Sequence, residues 1–180
     1  MTPATDPARP RLLVCLDLLE PASAGEDPRA FQRCIRNSRR LLSHARAARW
    51  EVVHCLSRDL AARAIHGLEP LASEPIFKRE GVSAFSSRGF RQRLRAWPNP
   101  ELLIIGCSLG STCLATAFAA FDRGVPASLV VDAISVRLDE GVGTDAFVRA
   151  ASRMAAPFVK LSETDDFVGR RRALQLVAVG

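Results

Sequence analysis

The sequence predicts a three-layer α/β/α domain built on a mostly parallel sheet of six strands. Short apolar runs that are typical of buried strands alternate along the whole chain with segments that are typical of helices. This alternation favours a parallel sheet with helices on both faces. The chain has 180 residues, 48% hydrophobic and 24% charged, which is ordinary for one globular domain with a sizeable core.

The six strands are predicted from apolar runs bounded by polar or turn-forming residues. They are 11–17, 50–56, 75–78, 102–105, 127–132 and 157–161. In a doubly wound, Rossmann-like arrangement these strands take the order 3-2-1-4-5-6, and we predict that order here. The segment between the second and third strands is irregular as far as Pro75.

The helices are predicted from their start and stop signals. Asp27 and Pro28 are an N-cap and a proline at the first helical position, so the first helix runs from there to about residue 48. The other four helices begin at Ser86 or Ser87, at Cys113, at Thr144 and at Asp165; they end before Pro98, at Gly124, near Ala155 and near Arg172.

The domain is predicted to span residues 11–180 after a flexible lead-in at residues 1–10, which contains three prolines. No apolar run approaches the roughly 18 residues that span a bilayer, and no signal peptide is visible. The five cysteines fit neither a zinc pattern nor a CxxC motif, so a reducing cytoplasm is the expected location.

The net charge of +6 does not by itself indicate a nucleic-acid partner. The arginines of the first helix fall on several of its faces, as on a solvated surface, and no nucleic-acid-binding signature accompanies them. We therefore expect neither a nucleic-acid nor a membrane partner.

Three residues of complementary chemistry follow three predicted strands. Asp17 ends RLLVCLD, Lys78 ends EPIFK, and Cys113 lies seven positions after Gly106, which closes the central strand. Ligand sites of open α/β sheets lie outside the carboxyl ends of the strands. An acid, a base and a thiol at one edge are the parts of a nucleophile site.

Cys113 is the candidate nucleophile because it is placed where a helix begins, and the helix N-terminus favours the thiolate. The alternative is that Cys113 is a small apolar residue that packs the helix onto the sheet. Cys107 is the rival thiol, but it lacks the helix N-terminus. We expect the charged atoms of Asp17 and Lys78 within about 4–6 Å of the Cys113 sulfur, although Lys78 starts two strands away from Asp17.

Four blocks of the sequence resemble the isochorismatase-like cysteine hydrolase superfamily over roughly residues 11–135. They are LLVCLD, GLEPLASEPIFKREGVSAF, IIGCSLGSTCLATAFAAFDRG and LVVDAIS, and their order and spacing agree with the family. The resemblance implies that the family's Asp-Lys-Cys triad falls on Asp17, Lys78 and Cys113. It also implies an oxyanion hole made by the N–H groups of Thr112 and Cys113.

The resemblance implies a hydrolase that cleaves the C–N bond of a small amide or ureide through a Cys thioester, without a cofactor. It implies a homo-oligomer, a dimer or a tetramer. A substrate pocket is expected at Ser83, Phe85, Leu109 and Gly110.

The chain departs from the family before the cysteine, where Gly110, Ser111 and Thr112 replace the usual acidic pair and one residue is added. Two other functions therefore stay open: a non-catalytic binding or interaction protein on the same fold, and a vinyl-ether hydrolase, whose reaction does not need the cysteine. In the loop before Cys113, a cis peptide bond is as compatible with the sequence as a trans one.

Some relatives bind a metal through an aspartate and two histidines. His54 and His66 have no such partner pattern, so no metal is expected.

Overall fold

The computed structural model describes residues 9–20, 28–58, 62–136 and 143–169. The six strands form one sheet in the order β3-β2-β1-β4-β5-β6, and every pairing is parallel. The strands are β1 Arg11–Leu16, β2 Glu51–Ser57, β3 Ile76–Arg79, β4 Glu101–Gly106, β5 Ala127–Ile134 and β6 Lys160–Ser162. The predicted fold class and strand order are confirmed.

Helices cover both faces of the sheet. They are α1 Pro28–Ala47, α2 Arg88–Arg95, α3 Leu114–Phe121, α4 Thr144–Ala155 and α5 Asp165–Val168, with a 3₁₀ turn at Ala84–Ser86 and a π turn at Leu109–Cys113. One core contains Leu41 of α1 and is completed by Phe167 of α5. The opposite core contains Phe90 of α2, Ala117 of α3 and Ala151 of α4. The three predicted layers follow from these two cores.

The element boundaries differ from the prediction at the edge of the sheet. Strand β5 continues two residues beyond 132, whereas β6 begins at Lys160 rather than at 157. The N–H groups of Phe158 and Val159 donate to the carbonyl of Ala155, so these residues form a turn after α4 instead of starting a strand. Residues 1–8 of the predicted lead-in and residues 170–180, which include the predicted end of the last helix, lie outside the described residues.

Gly106 brings the carboxyl ends of the two central strands close together. Its φ is +131°, and a Cβ atom there would lie 1.9 Å from the carbonyl oxygen of Leu16, so glycine is required. The N–H of Cys107 then donates to Leu16 O at 2.8 Å, and Gly106 O accepts from the N–H of Ser135 at 2.9 Å. The ends of β1, β4 and β5 are thereby fixed at one edge.

None of the helices in the described part of the chain is both long and apolar enough to cross a membrane.

Candidate functional site

Asp17, the candidate acid, lies directly after β1. Its backbone has a positive φ of 44°, and its N–H donates to Cys55 O at 3.2 Å. The carboxylate is only 7% exposed, and its Oδ1 accepts from the N–H of Ser57 at 2.8 Å. The N–H of Ser57, at the end of β2, therefore orients the Asp17 carboxylate.

Arg79 is the basic residue beside Asp17. Its Nη2 donates to Asp17 Oδ2 and, at 3.3 Å, to Thr112 Oγ1. Its Nη1 donates to the carbonyls of Gly81 at 2.6 Å and Val82 at 3.1 Å. Only 9% of Arg79 is exposed. One guanidinium thus connects the ends of β1 and β3 with the π turn before α3.

Lys78 does not reach this position, which corrects the expectation that its side chain lies beside Asp17. The residue is exposed and is opposite Leu56 in the register of β2 and β3. Successive side chains of a strand point to opposite faces, so Lys78 and Arg79 cannot both face the core. Phe77 packs against the core on the α2 side, and Arg79, two residues later, shares its face. That period of two in EPIFKR was the sequence signal for Arg79.

The segment before Cys113 is a π turn rather than a loop of small residues. Residues Leu109–Cys113 form the turn, and α3 begins at Leu114, one residue after the predicted start. A π turn is a wider helical turn that accommodates one additional residue. It accommodates here the residue that lengthens the interval from Gly106 to Cys113. The Cys107–Ser108 peptide bond is cis.

The backbone of the π turn already uses one of the two predicted oxyanion donors. The N–H of Cys113 donates to the carbonyl of Ser108 at 3.2 Å. The Thr112 side chain accepts from Arg79, and the residue is 4% exposed. The turn therefore lies against the ion pair.

Burial raises the pKa of the Cys113 thiol well above its ordinary value. The neighbouring Cys107, Cys34 and Asp17 add to this increase in pKa, while Arg79 opposes it. The side chain is fully buried. Burial therefore opposes the expected preference of the helix N-terminus for the thiolate and favours the protonated thiol.

The four predicted pocket residues lie in or next to the 3₁₀ turn and the π turn. Ser83 caps the 3₁₀ turn by accepting from the N–H of Phe85 at 3.2 Å, and Phe85 and Leu109 are buried. Gly110 lies against Phe147 of α4, whose Cζ would be 2.8 Å from a Cβ at this position. Phe147 was not predicted from the sequence, because the residues between β5 and α4 gave no sign of where α4 packs.

The histidines His54 and His66 contact glutamate side chains. His54 is 2% exposed, and its Nε2 lies 3.0 Å from Oε2 of Glu74, which also binds the Arg46 guanidinium. His66 is exposed and lies 3.4 Å from Glu69. Within the described residues, no group of three His, Cys, Asp or Glu side chains could hold a metal ion.

Solved structures with the same fold cover nearly the whole chain. An isochorismatase from Pseudomonas putida is 21% identical with a TM-score of 0.80, over 91% of this chain and 94% of that chain. A cysteine hydrolase from Pseudomonas syringae pv. phaseolicola is 17% identical with a TM-score of 0.75, over 93% and 97%. An N-carbamoylsarcosine amidase from Thermoplasma acidophilum is 16% identical with a TM-score of 0.67, over 87% and 97%.

Among curated proteins, none matches the sequence significantly. The family model of the isochorismatase domain, in contrast, matches residues 11–166, a span that contains all six strands and the Asp17, Arg79 and Cys113 positions. The strand order agrees with that match. The chain therefore belongs to the isochorismatase family, whose members named above are hydrolases.

Proposed function

We propose that the protein is a cysteine hydrolase that cleaves the C–N bond of a small amide or ureide, with Cys113 as nucleophile. The observation that carries the proposal is the buried ion pair of Asp17 and Arg79, which contacts the turn that ends in Cys113. Both charged groups interact electrostatically with the Cys113 thiol. The cysteine hydrolase and the N-carbamoylsarcosine amidase described above have the same fold and support this reaction class.

In the proposed reaction the thiol is deprotonated only as it attacks. The Cys113 sulfur forms a bond to the substrate carbonyl carbon while Asp17 accepts the thiol proton, which suits a thiol whose pKa burial has raised. Asp17 then returns the proton to the nitrogen as the C–N bond breaks, leaving a thioester and a free amine. Water attacks the thioester, Asp17 again transfers the proton, and the thiol is regenerated with a carboxylic or carbamic acid as product.

Arg79 takes the place that the family resemblance gave to a lysine. Arginine stays protonated, so its proposed role is to hold Asp17 in position and to balance its charge rather than to transfer a proton. The oxyanion donors proposed are the N–H groups of Thr112 and Cys113. The N–H of Cys113 has to leave Ser108 O before it can serve the oxyanion.

The test combines thiol labelling with a screen of amides, ureides and hydroxamates. We expect Cys113→Ser to abolish turnover, and Cys107→Ser, the matched control, to retain it. Iodoacetamide should modify Cys113, at a rate that rises about tenfold per pH unit from pH 7 to 9 without a plateau, because only the thiolate reacts. A Cys113→Ser protein as active as the parent on an amide would exclude this nucleophile.

A second candidate is a non-catalytic binding protein on the same fold, which the full burial of the Cys113 thiol favours. It predicts ligand binding without turnover, and no labelling of Cys113 below pH 9. Turnover of a vinyl ether that survives Cys113→Ser would instead identify the ether-cleaving reaction.

A further inference from the structure

A cavity of about 380 Å³ lies outside the cluster of Asp17, Arg79 and Cys113, although it shares Phe85 with the predicted substrate pocket. It is formed by the C-terminal end of α2 and by the turns that lead into β4 and β5, at the amino ends of these strands. Its volume falls within the range of small-molecule sites. None of Asp17, Arg79 and Cys113 lines it.

The wall of the cavity is apolar and partly aromatic. Phe85, Leu94, Trp97 and Val125 contribute to it. Phe85 is buried, and the indole of Trp97 is half-buried. A flat apolar group can pack on such a wall at a low entropic cost, because two aromatic rings are already held in place.

The charged residues of the cavity are all cationic, and the amide of Asn99 is the other polar side chain that lines it. Arg91, Arg95 and Arg123 line it, and no aspartate or glutamate does so. Helix α2, with the sequence RGFRQRLR, has no acidic residue of its own to balance them. Three like charges around one open cavity repel one another, and an anion bound between them reduces the repulsion.

Two of the guanidinium groups are held in place by neighbouring groups. Arg123 lies 4.9 Å from the centroid of the Phe85 ring, and its Nη1 donates to Ala119 O at 2.8 Å. Arg91 donates from Nη1 to the carbonyls of Phe85 and Ser86. These hydrogen bonds involve Nη1 alone, so the other nitrogens of each guanidinium keep N–H groups that can donate to a carboxylate.

We propose that this cavity binds a small monoanion with a flat apolar body, such as an aromatic carboxylate, at a site separate from Cys113. The carboxylate contacts the guanidinium groups, and the ring packs against Trp97 and Phe85. This proposal does not depend on the reaction proposed for Cys113.

Benzoate is the probe, and benzamide is its neutral isostere. The chain has two tryptophans, so Trp50→Phe leaves Trp97 as the only indole reporter. We expect saturable quenching of Trp97 fluorescence by benzoate, with binding at least tenfold tighter than that of benzamide. Calorimetric titration of the parent chain provides the same comparison without the Trp50 substitution.

The double variant Arg95→Gln/Arg123→Gln should weaken benzoate binding at least tenfold. Arg88→Gln is the matched control: it removes an exposed arginine of α2 that does not line the cavity, and binding should stay within twofold. Cys113→Ser should also leave binding unchanged, which separates this cavity from the candidate active site.

Three results would overturn the proposal. Equal affinity for benzoate and benzamide would show that charge plays no part. Equal losses in Arg88→Gln and in the double variant would show a non-specific effect of net charge. Absence of saturable benzoate binding in the calorimetric titration would exclude the small-molecule site.

Discussion

Replacing Arg79 with alanine should destabilise the fold far more than replacing its neighbour Lys78. The two residues have the same formal charge and lie next to each other at the end of β3, but Arg79 is buried and Lys78 is exposed. The pair therefore separates the effect of a buried ion pair from the effect of one positive charge.

The expected magnitude follows from what Arg79 contacts. The substitution removes the partner of Asp17, whose carboxylate would remain buried with the N–H of Ser57 as its hydrogen-bond donor. Breaking a buried ion pair by removing one partner costs about 3–5 kcal/mol. The carbonyls of Gly81 and Val82 lose their donor as well. For Lys78→Ala we expect a change within about 0.5 kcal/mol, as for other exposed sites.

The assay is equilibrium urea unfolding at neutral pH, followed by circular dichroism. The free energy of unfolding is compared among the parent, Arg79→Ala, Lys78→Ala and Arg79→Lys. The lysine variant keeps the charge but loses the planar fork, so its loss should be intermediate, about 1–2 kcal/mol. A loss below about 1 kcal/mol in Arg79→Ala, or equal losses at positions 78 and 79, would refute the assigned ion pair.

Three further predictions concern stability and assembly. Burial disfavours the charged form of Glu74, but hydrogen bonds, led by that from Arg46, outweigh this and lower the pKa to about 2. The resulting stabilisation exists above pH 4.5 and is lost as the pH falls towards 2, so Glu74→Gln should destabilise at pH 7 by an amount that disappears near pH 2 in urea titrations. Gly106→Ala should abolish soluble expression, because its Cβ would overlap Leu16 O. The parent should form at least a dimer; a monomer mass by light scattering at micromolar concentration would contradict this.

The fold could be predicted because its signals are local. Buried parallel strands appear in the sequence as short apolar runs, and turn residues separate them from the helices. The strand order follows once the sheet is doubly wound. Errors occurred where local hydrogen bonds at the end of a helix decide a boundary, as at Ala155, whose carbonyl accepts from Phe158 and Val159, two residues that were expected in β6.

The sequence predicted Asp17 and Cys113 at one edge of the sheet, whereas the cation that pairs with Asp17 in the structure is Arg79, one residue after the predicted Lys78. Proximity to the end of β3 suggested Lys78, but which residue faces the core depends on the side-chain alternation of the strand. Phe77 sets that alternation by packing against the core, and Arg79 follows it. The protonation state of Cys113 could not be predicted, because burial by distant elements determines it.

The arginine at position 79 and the neutral thiol have a joint consequence under the proposed mechanism. An arginine does not give up its proton, and Asp17 is paired with it, so the Cys113 proton is the one that the resting site can transfer at neutral pH. The thiolate then forms only when a carbonyl carbon is in place to be attacked. The Cys113 N–H must leave Ser108 O in the same step to meet the oxyanion. Both changes occur in the π turn, where this chain has one residue more than the family pattern. Under the proposed mechanism a substrate has to rearrange this turn to be hydrolysed, so substrate selection would lie in the turn as much as in the residues around it.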